Sequence, residues 1–127
     1  EGREGVKAIL RDVIEMTQAG EKHYYVYSSA AIRHYLYEAY SAFNKDRLKA
    51  EVSVDTIALG EGGETVGLDR RKWLSKRRSA PTYTLIYEGK VAMISIDRQN
   101  RLHGVIIEDK NLFETQKMLF ESLWHKI

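Results

Sequence analysis

Four histidines, His23, His34, His103 and His125, are the first residues to weigh for chemistry. Imidazole titrates near neutrality and is the commonest metal ligand, so a histidine beside a second His, Asp or Glu at the right spacing would point to a metal or an acid–base centre. None of the four has such a partner, and no metal and no cofactor is expected. Gly60-Glu61-Gly62-Gly63-Glu64 is glycine-rich but lacks the Lys-Ser/Thr of a phosphate-binding loop, and reads as a plain loop. The chain has no cysteine, which excludes disulfides and thiolate chemistry and agrees with a reducing cytoplasm.

Three other groups offer more. Ser28, Ser29 and His34, with Arg33 beside them, follow the first strand, and α/β proteins hold ligands beyond the carboxyl ends of strands. The competing reading is a serine helix cap on a solvated face. Thr82, Tyr83, Ser95 and Asp97 lie where one strand of a hairpin starts and its partner ends, which offers hydroxyls, a ring and a carboxylate to a small polar ligand. Arg70, Arg71, Lys72, Lys76, Arg77 and Arg78 put six positive charges into nine residues, a run able to grip phosphate or a nucleic-acid backbone. A solvated face, or pairing with acids of a neighbouring subunit, is the competing reading. The net charge of +2 is too small to demand a polyanionic partner. The tyrosines at 24, 25, 27, 35, 37 and 40 could stack on a sugar or a base, but their strand and helix spacing reads first as core.

The elements that must position these groups follow from periodicity. Val6, Ile9, Leu10, Val13 and Ile14 recur at helical spacing, and Gly20 can stop that helix. His23 to Tyr27 is aromatic and β-branched, a strand. A long helix follows, capped by Ser28 or Ser29, carrying Ile32, Leu36, Ala39, Tyr40 and Phe43 inward and running on towards Leu48. Glu51 to Leu59 is a second strand, so the pair forms a right-handed parallel βαβ unit. The stretch from Gly67 to Arg78 is the hardest to read, with Trp73-Leu74 either a short strand or one helical turn. Glu88-Gly89 makes a two-residue hairpin turn that opposes Tyr87 to Lys90, Ile86 to Val91, Leu85 to Ala92, Thr84 to Met93 and Tyr83 to Ile94. Both faces of the hairpin are apolar, which places it within a sheet covered by helices on both sides. Asp97 to Arg101 turns the chain into a last strand, Leu102 to Glu108. Asp109 or Asn111 caps a final helix with Leu112, Phe113, Gln116, Leu119, Phe120, Leu123, Trp124 and Ile127 on its inner stripe. The longest apolar runs are far too short to span a bilayer, so no membrane partner is expected. The start at Glu1 rather than Met, with no signal peptide, reads as a piece of a longer protein.

The whole chain, 1–127, resembles the C-terminal sensor domain of TrmB-like transcriptional regulators, an α/β module with a phospholipase D-like fold. The resemblance is carried by Gly5-Val6-Lys7-Ala8-Ile9-Leu10, by Tyr27-Ser28-Ser29 and by Phe43-Asn44-Lys45-Asp46-Arg47-Leu48-Lys49. It continues in Pro81-Thr82-Tyr83-Thr84 before Ile86-Tyr87-Glu88-Gly89-Lys90-Val91-Ala92, and in Phe120-Glu121-Ser122-Leu123-Trp124. It implies a three-layer sandwich with a mixed sheet, and an effector-binding and dimerisation role in the cytoplasm. DNA would be read by a winged helix-turn-helix N-terminal to this chain, and the effector would be an unidentified small molecule. Phospholipase D-type enzymes open the equivalent hairpin with His-x-Lys-x4-Asp, which falls here on Pro81, Tyr83 and Glu88. Proline has no nucleophile, and tyrosine carries no fixed positive charge. The enzymes' Gly-Ser-x-Asn falls on Ser95 to Arg98, without its glycine or asparagine. The hairpin thus keeps a packing role without catalytic groups, and no enzyme activity is expected. The competing functions are a divergent phosphodiesterase or nuclease, and a nucleic-acid module using the basic run. A homodimer is expected, because readers of palindromic DNA need two-fold symmetry.

Overall fold

Six strands form one mixed sheet in the order β3-β2-β1-β4-β5-β6. The computed structural model describes residues 2–63 and 65–127. Strands β1 (His23–Ser29), β2 (Ser53–Leu59) and β3 (Arg70–Ser75) are mutually parallel. Strands β4 (Thr82–Tyr87), β5 (Lys90–Ile96) and β6 (Leu102–Glu108) continue the sheet as an antiparallel meander, with β4 against β1. Helices lie on both faces, an arrangement compatible with the expected α/β sandwich. On one face α1 (Gly2–Ala19), α2 (Arg33–Ala39) and the flanking chain bury Val6, Ile9, Leu10, Val13, Ile32 and Leu36 against Tyr24, Val26, Val54, Leu85, Ala92 and Ile94. On the other, α4 (Lys110–Lys126) buries Phe120 and Trp124 against Ile57 and Ile86. Among the described residues no helix is long and apolar enough to cross a membrane.

The hairpin has the expected register at all five opposed pairs. Glu88 and Gly89 both take positive φ, 40° and 75°, the twist that matches two paired strands. The turn also reaches back, because Glu88 Oε1 accepts from the Glu21 backbone N–H at 2.8 Å and so pins the end of α1. The last strand and helix also stand as expected, and Asp109 Oδ1 caps α4 by accepting from Leu112 N–H at 3.0 Å.

Four expectations need correction. Ser28 and Ser29 are not helix caps but the last residues of β1, both buried; Ile32 precedes α2 with no side-chain cap. The long helix is two, α2 and α3 (Phe43–Lys49). Tyr40 leaves the helical region at φ −153°, ψ 80°, while its N–H still donates to Leu36 O and its hydroxyl donates to Asp46. Glu51 follows the Ala50 C-cap of α3 and is not in a strand, which starts only at Ser53: at φ 62° it turns the chain so that Val52 N–H donates to Arg47 O. Finally, the buried stripe of α4 is narrower than its apolar residues suggest, since Leu112, Leu119 and Ile127 are exposed. The hard-to-read Trp73-Leu74 lies within β3, an edge strand.

Candidate functional site

A cavity of about 420 Å³ lies on the α1–α3 face, over the parallel half of the sheet. That volume suits a small molecule. Strand alternation selects its floor. Tyr24 and Ser28 of β1, Val54 and Thr56 of β2, Arg71 of β3 and Tyr83 of β4 all point to this face. Register brings them together: Tyr24 stands beside Val54, Thr56 beside Arg71, and Ser28 beside Tyr83. The α2–α3 hairpin forms the roof with Arg33, Leu36, Tyr40, Phe43 and Arg47, and the break after Ala39 lets Phe43 and Arg47 turn inward.

The described lining residues include four arginines, Arg33, Arg47, Arg70 and Arg71, and one carboxylate, Asp69. Arg47 is 2% exposed, and Asp69 grips it bidentately at 2.9 and 2.7 Å while also accepting from Val54 N–H at 3.0 Å. Burial, the largest single influence, lowers the Arg47 pKa, but the Asp69 hydrogen bonds together with the electrostatic pull of Tyr24, Asp69 and Tyr83 outweigh it, and the guanidinium stands above its ordinary value. Arg70 is likewise held, with Nε and Nη2 at 2.9 and 2.6 Å from the two oxygens of buried Asp55 on the opposite face. For Arg33, Nη1 donates to Glu61 O at 3.4 Å, but Nε and Nη2 are buried with no partner among the described residues. Burial pulls the Arg33 guanidinium below its ordinary value, and burial followed by repulsion from Arg33 does the same to Arg71. Burial raises the Tyr83 hydroxyl, and the nearby cations Arg47, Arg71 and Arg33 oppose it. Gly63, at φ 90°, lies so close to Arg71 that a Cβ there would come within 2.7 Å of the guanidinium.

Of the residues singled out in the sequence, Ser28, Arg33, His34, Tyr83, Arg70 and Arg71 border this cavity, as do Tyr24, Tyr37 and Tyr40. Ser29 does not: it shares a hydrogen bond with Ser79 Oγ. Thr82 and Ser95 are cross-strand partners, yet the pleat turns them to the face away from Tyr83. Asp97 closes the β5–β6 turn, accepting from Gln99 N–H and Arg101 N–H at 2.9 Å and lying 2.9 Å from His103 Nε2. The basic run is no single patch. Arg70 and Lys72 lie over the Trp124 ring on the α4 face, Arg71 faces the cavity, Lys76 lies over Trp73, and Arg77 and Arg78 are exposed. Sequence reading missed Arg47 as a site residue, and only the basic residue within an apolar helical pattern hinted at it.

A second cluster joins the N-terminal ends of β1 and β2. His23 Nδ1 shares a 2.6 Å hydrogen bond with Ser53 Oγ, and His23 Nε2 lies 3.4 Å from Asp55. The Asp55 oxygens are already taken by Arg70, so the trio reads as a strand-to-strand tie. No group of three His, Cys, Asp or Glu among the described residues could hold a metal ion.

Asp97 gives a pH prediction. The His103 contact, followed by the Arg101 backbone N–H, holds its carboxyl well below the ordinary 3.8. Because the folded value is depressed, the stability it adds is complete above the ordinary value and is lost as pH falls towards the folded one. In urea titrations wild type should exceed Asp97→Asn in stability at neutral pH, and the gap should close below about pH 4. A gap undiminished at about pH 2 would contradict this assignment.

The chain matches no protein-family model, no curated protein and no solved structure.

Proposed function

We propose that the chain is a ligand-sensing module, the effector-binding and dimerisation domain of a TrmB-like transcriptional regulator, with a phospholipase D-like sandwich that lacks the catalytic groups. The observation that carries the reading is the cavity, whose walls combine rings, hydroxyls and arginines under a two-helix roof. A site of that kind favours reversible recognition of a small molecule. Pro81 and Tyr83 supply neither nucleophile nor fixed charge where the resembling enzymes carry both. DNA contact is left to a winged helix outside this chain, a reading supported by a basic run that is spread over two sheet faces and a loop.

The test is a thermal-shift screen of the chain against small metabolites, with each hit followed by NMR for conversion. The expected result is a saturable rise in Tm with the ligand recovered unchanged, and light scattering at twice the chain mass. Turnover abolished by His23→Ala or Ser53→Ala would instead make the chain an enzyme, and a monomer with no stabilising ligand would end the sensing proposal.

A further inference from the structure

We infer that the cavity is an anion site that takes a small organic molecule bearing a phosphate or a carboxylate, with Arg33 as the group that grips the charge. This deepens the sensing role proposed above and rests on it.

The unpartnered atoms of Arg33 are Nε and Nη2, which share one edge of the guanidinium. That edge presents two parallel N–H groups, the fork that matches two oxygens of a carboxylate or phosphate. The same molecule shows what this edge does when an anion is at hand, since Arg70 uses its own Nε and Nη2 to hold both oxygens of Asp55. Buried cationic donors without an acceptor are costly, so the Arg33 edge is primed for a ligand oxygen. The lining carboxylate, Asp69, is taken up by Arg47 and Val54 N–H and does not compete for that edge. Arg71 brings a second guanidinium from β3 to the same space, where Arg33 repels it. The hydroxyls of Tyr24, Tyr83, Ser28 and Thr56 line the walls beside them, and Leu10, Leu36 and Phe43 supply an apolar side for the rest of the molecule.

The experiment titrates the chain with inorganic phosphate, ribose 5-phosphate and citrate, with neutral ribose as control. It follows Tm and the arginine Nε–H signals by NMR. Ribose 5-phosphate or citrate should raise Tm saturably and shift the Arg33 Nε–H signal, and phosphate alone should shift that signal more weakly. The tighter of the two names the head group. Arg33→Gln should weaken anion binding about tenfold or more, with Arg33→Lys between, because lysine keeps the charge and loses the fork. Arg77→Gln, on the exposed run, should leave binding unchanged. Ribose binding as tightly as ribose 5-phosphate would overturn the anion site and leave a sensor of neutral molecules. Equal weakening by Arg33→Gln and Arg77→Gln would overturn it in favour of diffuse surface charge. A marked fall in the ligand-free Tm of Arg33→Gln, with no anion binding to wild type, would mean that the chain satisfies Arg33 itself. Absence of binding by all four probes would overturn the anion site, while the sensing role is decided separately by the metabolite screen.

Discussion

Asp69→Ala should destabilise the protein by about 3–5 kcal/mol, the cost of leaving a buried cation without its partner. Arg47 is enclosed by α3, β2 and the chain before β3, and the Asp69 side chain is itself only 6% exposed. Removing the carboxylate strands two guanidinium donors and the Val54 N–H at once. The remaining Arg47 contacts, to Val52 O at 2.8 Å and Asn44 Oδ1 at 3.2 Å, are neutral acceptors and compensate only in part. Urea denaturation read by circular dichroism measures the loss. Combining Arg47→Met with Asp69→Leu should recover most of it, because exchanging a whole buried pair for apolar groups is often close to neutral. A loss below about 1 kcal/mol in Asp69→Ala would place the pair in the class of surface ion pairs. The pair also roots the roof of the cavity, so the single variant should lose ligand binding together with stability.

Phe120→Ala should cost a further large amount, about 3–5 kcal/mol, through the transfer and cavity terms of a truncated core aromatic. Phe120 is 1% exposed and sits at the centre of the α4 interface. Its ring lies 5.1 Å from Tyr25, 5.2 Å from Tyr27 and 5.9 Å from Trp124. Trp124 is the other buried anchor of the helix, and Lys72 Nζ donates to its backbone carbonyl at 2.8 Å. Loss of Phe120 should therefore loosen α4 as a unit and red-shift Trp124 fluorescence. Leu119→Ala is the matched control. Leu119 is 56% exposed, so its truncation should stay within about 0.5 kcal/mol. Comparable losses at 119 and 120 would show that the helix docks with a different face.

What the sequence could say was local. The turn residues Glu88 and Gly89, with apolar alternation on either side, set the hairpin register, because a two-residue turn leaves one pairing that keeps both faces intact. Asp109 or Asn111 ahead of an apolar helical pattern marked the start of α4 to within two residues, because a cap is a contact across three residues, and the structure selects Asp109. The break between α2 and α3 was hidden, because the apolar period runs through it. Ile32, Leu36, Ala39, Tyr40 and Phe43 keep helical spacing across it, and only the tertiary seat of Tyr40, with its hydroxyl on Asp46, ends the first helix. Nor does spacing reveal which apolar residues of α4 meet the sheet, since the helix bears more apolar residues than the strands beneath it can cover.

Tertiary structure alone made the candidate site. Arg33, Arg47 and Arg71 come from two helices and an edge strand, and they meet because parallel pairing sets Thr56 beside Arg71 beneath the α2–α3 roof. In the sequence Arg71 belongs to a run of like charges. In the fold, the two-residue period of the strand sends Arg70 and Lys72 to one face and Arg71 to the other. The same pleat separates Tyr83 from Thr82. Arg47 reads as a surface charge until Asp69, 22 residues further on, reaches it. Sequence carries periodicity and short-range hydrogen bonding; which distant charges share a cavity is decided by strand order and helix placement, which arise from burial of the whole apolar surface at once.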